Sequence, residues 1–348
     1  MIWFFACFAT CSKYAVLYAG SKEFYNYRHQ ADIYTIYNQL LARGFTTKQI
    51  QLFAYDDIAN NGENPFKGQI FHTLEHKTNV YPGSAAIDVK GDNITPEAFY
   101  GAITNLPTTS EDYVLIFFNN HGGFGTLGTP VGRNIDAYTL ADAFNKASSA
   151  NLYKKCLFML EACFAGSVAK IFNAENLATI TASNDKELSH AAVYDSQLGC
   201  WLTNEFTNSF ISIIDATPDI QVGGLYDQLV TLVTQSHATY YGDETIKTVD
   251  LSNFLGLPNK KMALNSRAAS KETISQREAS EMTLEFLTHH EKPSIRARAR
   301  IEILRRKAQT QKLNLVLDMI VKSVDPKNYD RIMNETSAEV TPNYIEIV

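Results

Sequence analysis

Two stretches decide the fold: Tyr113–Gly125, YVLIFFNNHGGFG, and Cys156–Ser167, CLFMLEACFAGS. Each opens as the unbroken apolar run expected of a strand buried on both faces. Each ends in a loop loaded with chemistry. His121 is followed by Gly122 and Gly123, and Cys163 is followed by the small residues Ala165, Gly166 and Ser167. Parallel strands deliver their C-terminal ends to one edge, where open α/β sheets build their sites. His121 and Cys163 are therefore expected to be neighbours in space. A thiolate is a nucleophile, and a nearby imidazole sets its protonation and can later protonate a leaving amine. The N–H groups of Gly122 and Cys163 could form an oxyanion hole, since glycine lets the backbone approach closely. Taken alone, Cys163 reads first as a small core residue, and His121 as a satisfied loop histidine.

Outward from these runs, residues 14 to 257 alternate strand and helix. Tyr14–Tyr18, Ile50–Ala54, Ala178–Ala182 and Ile246–Val249 read as further strands. His29–Arg43 carries apolar residues at helical spacing, with Gly44 as its stop. Thr95-Pro96-Glu97 and Asp136 read as helix starts. The pattern implies an α/β fold, a mostly parallel sheet with helices on both faces. Residues 294–348 differ. No glycine follows Gly256, and the chain from Lys261 onward carries net +3 against −9 before it. Ser294–Val324 reads as helix, with Pro293 at its start and Pro326 at its stop.

The expected organisation is a signal peptide at 1–12, an α/β domain at 13–257, a linker at 258–293 and an all-helical prodomain at 294–348. The signal reading rests on MIWFFACFATCSKY, an apolar run, then small residues, then the first charge at Lys13; its alternative is a buried first strand. The run is too short to span a bilayer. Net charge of −6 argues against a global nucleic-acid surface, and five cysteines make no disulfide framework. His72 and His76 have metal-ligand spacing without an apparent third ligand, so no metal or cofactor is expected. Asn93 and Asn334 begin glycosylation sequons.

Four segments, AGSKEFYNYRHQAD (19–32), YDDIA with NPFKGQI (55–59 and 64–70), FFNNHGGFG (117–125) and FMLEACFAGS (158–167), resemble the legumains. These are asparaginyl endopeptidases, peptidase family C13, of the caspase-like clan of cysteine peptidases. The resemblance covers roughly Tyr14 to Leu257 and implies a caspase-like fold. It implies that Cys163 is the nucleophile, His121 the catalytic histidine and Asn26 the residue that orients it. It implies an S1 pocket of Arg28, His29 and Glu161, joined by Ser189 and Asn204. Such a pocket suits asparagine: a guanidinium donates to the side-chain carbonyl, and a carboxylate accepts from the NH2.

The resemblance further implies a secreted or lysosomal zymogen whose C-terminal segment blocks the site until autocatalytic cleavage in acid. Asn259 and Asn265 are the expected processing sites. Protein and peptide substrates, the chain's own prodomain and cystatin-like inhibitors are the implied partners. The run Arg296, Arg298, Arg300, Arg305, Arg306 is the expected contact with the acidic domain. Three departures stand out. Asn120 occupies the place of an aspartate linked to peptide ligation, Phe164 that of an acid, and Asn204 that of an S1 aspartate. The GPI transamidase shares YNYRH and HGG, so a transpeptidase is the alternative reading. A caspase-like binding protein without catalysis is a third, disfavoured by the intact Cys163, His121 and glycine set.

Overall fold

In this computed structural model the described residues are 12–258, 273–324 and 327. The chain runs β1 (Lys13–Ala19), α1 (Tyr27–Ala42), β2 (Ile50–Ala54), α2 (Pro96–Thr104) and β3 (Tyr113–Asn119). Three two-residue strands follow, β4 (Gly122–Gly123), β5 (Thr126–Leu127) and β6 (Ile135–Asp136), then α3 (Ala137–Ser149), β7 (Lys155–Glu161), α4 (Ala165–Ala169) and β8 (Leu177–Thr181). Next come β9 (His190–Asp195), β10 (Cys200–Asn204), α5 (Glu205–Ala216), α6 (Val222–Leu232), β11 (Thr239–Gly242) and α7 (Ser252–Leu255). Last are β12 (Thr273–Ser275), α8 (Gln276–Leu287) and α9 (Pro293–Val324).

The main sheet has the order β11-β8-β7-β3-β1-β2, parallel except for the β11 edge. Side chains alternate between two cores, as the period of a strand requires. Leu115 and Phe117 of β3 face the core shared with α1 and α5, whereas Val114, Ile116 and Phe118 face the core shared with α2 and α3. β7 alternates likewise, with Leu157 and Met159 on the first face and Phe158 and Leu160 on the second. The fold is thus α/β with helices on both faces and a helical C-terminal segment, as the apolar runs implied.

Local signals explain the helix starts. Thr95 Oγ1 accepts from Ala98 N at 3.2 Å, and Asp136 Oδ1 accepts from Thr139 N at 2.9 Å. One expectation fails. Ile246–Val249 is not a strand: residues 244–248 form a 3-10 turn, because Asp243 caps it through Thr245 N and Oγ1 at 2.9 and 2.7 Å. The edge strand is β11, just before it. The span read as a linker also holds structure, namely β12 and the whole of α8. Its unread signal is Ser275-Gln276-Arg277-Glu278, a capping box in which Ser275 and Glu278 bond each other's backbone N–H.

A second sheet, β10-β9-β12, is antiparallel throughout and abuts the C-terminal edge of the first. Asp32 of α1 ties the two together. Its Oδ2 accepts from Asn119 Nδ2 of β3 at 2.7 Å and from Asn204 N and Nδ2 of β10 at 3.1 and 2.9 Å. Its Oδ1 bonds His72 Nε2 at 3.0 Å and Thr203 Oγ1 at 2.5 Å. Asp32 is fully buried. Asp32→Ala would strand all these donors at once. It is expected to lower unfolding stability by about 3–5 kcal/mol, read by urea denaturation. A loss under about 1 kcal/mol would show that the knot is not what joins the sheets.

Candidate active site

β3 and β7 pair in parallel with Asn119 opposite Glu161, so His121 and Cys163 each lie two positions past that pair. The loops touch. A Cβ on Gly122 would sit 2.3 Å from the Cys163 carbonyl oxygen, so only glycine fits. Directly after Cys163, Phe164 takes a left-handed conformation with φ 53°, which turns the chain sharply into α4.

Asn26, at the start of α1, holds the imidazole. Its Nδ2 donates to the Lys22 carbonyl at 2.9 Å, which leaves Oδ1 facing His121 Nε2 at 2.8 Å. A carboxamide oxygen only accepts, so Nε2 carries the proton and Nδ1 the lone pair. Nδ1 is buried and has no hydrogen-bond partner among the described residues. It is the free base of the site. Burial, then the Arg28 and Arg306 charges, hold His121 well below its ordinary range. Burial pushes the Cys163 thiol up to about 11, against hydrogen bonding with Ser189 and the Arg28 charge. Both shifts favour a thiol beside a neutral imidazole in this buried arrangement.

Beside them lies a polar pocket. Arg28 and His29 come from the first turn of α1, Glu161 from the end of β7, Ser189 from just before β9 and Asn204 from the end of β10. All five are buried. The chain's own Gln276 fills the pocket. Its Oε1 accepts from Arg28 Nη2 at 3.3 Å and from His29 Nε2 at 3.1 Å. Its Nε2 donates to Glu161 Oε1 at 3.1 Å and to Ser189 Oγ at 2.7 Å. Arg28 Nη2 also donates to the Gln276 backbone carbonyl at 3.1 Å. The three residues before it pair antiparallel with β9, Ser275 opposite His190 and Thr273 opposite Ala192. This is strand addition, the way a sheet edge takes an extended peptide.

Burial dominates the pocket's electrostatics. It lowers Arg28 to about 10, against the nearby Cys163, Asp32 and Glu161. It raises Glu161 to about 8, helped by Asp32 and opposed by hydrogen bonds from Ser189 and Thr207. It depresses His29 well below its usual range, with the Arg28 and His121 charges adding to the effect. Asn204 does not touch Gln276. It accepts from Arg28 Nε at 3.0 Å and donates to Asp32 and to Asn119 Oδ1, so it aims the guanidinium.

All the residues expected to form the catalytic and S1 sites are thus brought together. Sequence reasoning missed Gln276, Asp32 and Ser280, whose hydroxyl donates to Asn26 Oδ1 at 3.0 Å. Asn120 is clamped: its Nδ2 donates to the Gly20 carbonyl, and a Cβ on Gly20 or Gly128 would meet that nitrogen at 2.7 or 2.6 Å. His72 and His76 do not share a site, since one bonds Asp32 and the other Asp195. Asn93 is exposed at a turn. Asn259, Asn265, Asn334 and residues 1–11 lie outside the described residues. Of the arginine run, Arg298 pairs with Glu63 at 3.2 Å, and the Arg306 guanidinium lies 4.6 Å from the centre of the Tyr25 ring. Arg305 and Arg306 also pair with Glu302 of the same helix.

A cysteine and a histidine converging at a parallel sheet edge, beside a pocket that reads both ends of a carboxamide, make a layout suited to acyl transfer on peptides. Residues 13–257 match the model of the Peptidase C13 family. The chain belongs to that family. It is 38% identical to a vacuolar-processing enzyme of Citrus sinensis over 192 residues, which is 51% of this chain and 38% of that one. It is 31% identical to the legumain of Mus musculus over 264 residues, covering 71% of this chain and 60% of the relative. A GPI-anchor transamidase of Saccharomyces cerevisiae is 27% identical over 240 residues, 65% of this chain and 58% of that one. The match therefore spans 38% to 60% of these relatives' own lengths. Among the described residues no helix is long and apolar enough to cross a membrane.

In the intact chain, iodoacetamide should alkylate Cys163 at neutral pH at least about a hundredfold more slowly than it does a free cysteine, whose pKa is about 8.5. Mass mapping of the labelled peptide measures this. A rate equal to that of free cysteine would show that the closed site does not suppress the thiolate.

Proposed function

We propose that the chain is a cysteine endopeptidase that cleaves after asparagine and is made as a zymogen closed by its own C-terminal helical segment. Cys163 attacks the scissile carbonyl, and His121 Nδ1 takes the thiol proton and returns it to the leaving amine. The N–H groups of Gly122 and Cys163 receive the oxyanion.

One observation carries the reading: the Gln276 carboxamide sits with donors at its oxygen and acceptors at its nitrogen. Asparagine offers the same carboxamide on one methylene fewer, and the resemblance to legumains points to that residue at P1. Gln276 mimics a P1 residue, and Thr273–Ser275 mimic the residues before it. The mimic escapes cleavage because the chain turns helical at Gln276, under the Ser275–Glu278 capping box, instead of running extended past Cys163. A transpeptidase would use the same residues, and nothing in the pocket favours it.

Acid release follows from the buried histidines. His29 and His121 are held neutral under α8, with Arg28 of α1, Arg306 of α9 and Glu161 of β7 around them. Opening the cleft returns them toward about 6.5, so the open state binds more protons below that pH and acid favours opening. Glu161 runs the other way. Its raised value lets the closed state bind the extra proton, which favours closure as pH falls from about 8 to about 4.3. The two imidazoles work against that one carboxyl, so acid opens the cleft where their combined proton uptake on opening exceeds the proton that Glu161 gives up. This fits passage along the secretory route into an acidic, lysosome-like compartment.

The test is hydrolysis of fluorogenic peptides with Asn, Asp or Ala at P1 after incubation at about pH 4 to 5. Asn-selective cleavage, lost in Cys163→Ser and accompanied by release of a C-terminal fragment, is the expected result. Cleavage with no Asn preference would overturn the specificity. Fragment release equal at neutral and acid pH would overturn the acid trigger.

Gln276→Ala removes four side-chain hydrogen bonds from the closed pocket. It should raise Cys163 labelling of the uncut chain by about tenfold or more. Unchanged labelling would mean that α8 stays docked without the mimic.

A further inference from the structure

Gly20 and Ser21 follow β1 directly, at the same sheet edge as His121 and Cys163. This short loop is fixed. Gly20 N donates to the Asn119 carbonyl at 3.0 Å, and Gly20 packs against Asn120 so closely that a Cβ would collide. Ser21 is 5% exposed and His29 is 0% exposed. Ser21 Oγ lies 2.7 Å from His29 Nδ1.

The carboxamide in the pocket dictates the direction of that bond. Arg28 has only donors, so the Gln276 atom it reaches is the oxygen. The His29 nitrogen facing the same oxygen at 3.1 Å must then donate as well. A neutral imidazole carries one N–H, so a proton on Nε2 leaves a lone pair on Nδ1. Ser21 is then the donor to Nδ1. In the other tautomer, Nε2 would aim a lone pair at the carboxamide oxygen, and the pocket would repel what it is built to hold.

We propose that Ser21 is a positioning residue for P1 recognition: its hydroxyl donates to His29 Nδ1 and holds the ring in the Nε2–H form that binds the substrate's side-chain oxygen. Burial keeps His29 neutral, which makes the choice of tautomer matter. This inference rests on the reading of the pocket as an S1 site for asparagine, and it adds a residue that touches neither substrate nor nucleophile.

Two measurements test it. In acid-released enzyme, Ser21→Ala should lower kcat/KM for an Asn-P1 peptide by about tenfold, the worth of one buried hydrogen bond. The loss should fall mainly on KM, and Ser21→Thr, which keeps a hydroxyl, should recover most of it. Separately, 15N NMR of the histidines in uncut chain carrying Cys163→Ala and Gln276→Ala, where no carboxamide oxygen faces Nε2, reads the tautomer that Ser21 sets. His29 should show a pyridine-type Nδ1 and a pyrrole-type Nε2, and adding Ser21→Ala should mix or invert the two.

An unchanged tautomer together with an unchanged KM in Ser21→Ala would overturn the proposal. So would a Ser21→Thr variant as impaired as Ser21→Ala, with the tautomer intact in both. If the parent enzyme does not cleave after asparagine, the S1 reading fails, and the NMR experiment still decides whether Ser21 sets the ring.

Discussion

The site depends on burying a guanidinium and a carboxyl together without letting them collapse onto each other. Arg28 and Glu161 are both fully buried, and burial disfavours the charge on each. What spans them is a carboxamide, whose oxygen faces Arg28 and whose nitrogen faces Glu161. A neutral group with one acceptor end and one donor end satisfies both. An apolar side chain would leave both unsatisfied, which is the costly outcome in a dry pocket. Keeping the two apart requires a third party. Asn204 holds Arg28 by its Nε, and Asp32 and Asn119 hold Asn204. The knot that joins the two sheets is therefore also the device that aims the pocket.

An asparagine at position 204 fits that role better than a P1 contact would. Its oxygen and nitrogen are both spent within the protein, and neither reaches the occupant. The pocket floor has one carboxyl facing the bound amide, Glu161, and that group is itself pushed toward its neutral form. If the pocket is the proposed S1 site, Glu161 and the tautomer of His29 would set its choice between amide and acid.

The strand runs and helix caps were legible because each is a local device. An apolar run of five or six residues ending in a glycine-containing loop needs no distant partner to be read. The same holds for Thr95-Pro96 and Asp136. His121 and Cys163 stand out at the strand ends, but the candidate pocket residues Arg28 and Glu161 are legible only through the YNYRH and EAC motifs: by themselves they look like ordinary charges. What was missed is non-local. β12 pairs with β9 across about eighty residues of chain between Ala192 and Thr273, while β9 and β10 form a hairpin of mixed polarity that lacks the long apolar run of the main strands. Gln276 carries no intrinsic mark at all, and its role exists only because the capping box beside it sets the angle at which α8 enters the cleft. Asp32 lies inside a quoted motif, yet its task appears only when three elements meet on it.

On the proposed zymogen reading, closure and recognition use the same atoms. Thr273–Gln276 satisfy Arg28, His29, Glu161 and Ser189 and extend β9 as an extended peptide would. The pocket they fill lies beside the buried Cys163 and His121, so withdrawal of α8 would empty the pocket and hydrate the pair together. The protons proposed to drive that withdrawal would bind the imidazoles of His29 and His121. On that reading acid acts through His29 and His121 themselves, and the bridge between the exposed Arg298 and the half-buried Glu63 is a secondary tie between α9 and the domain.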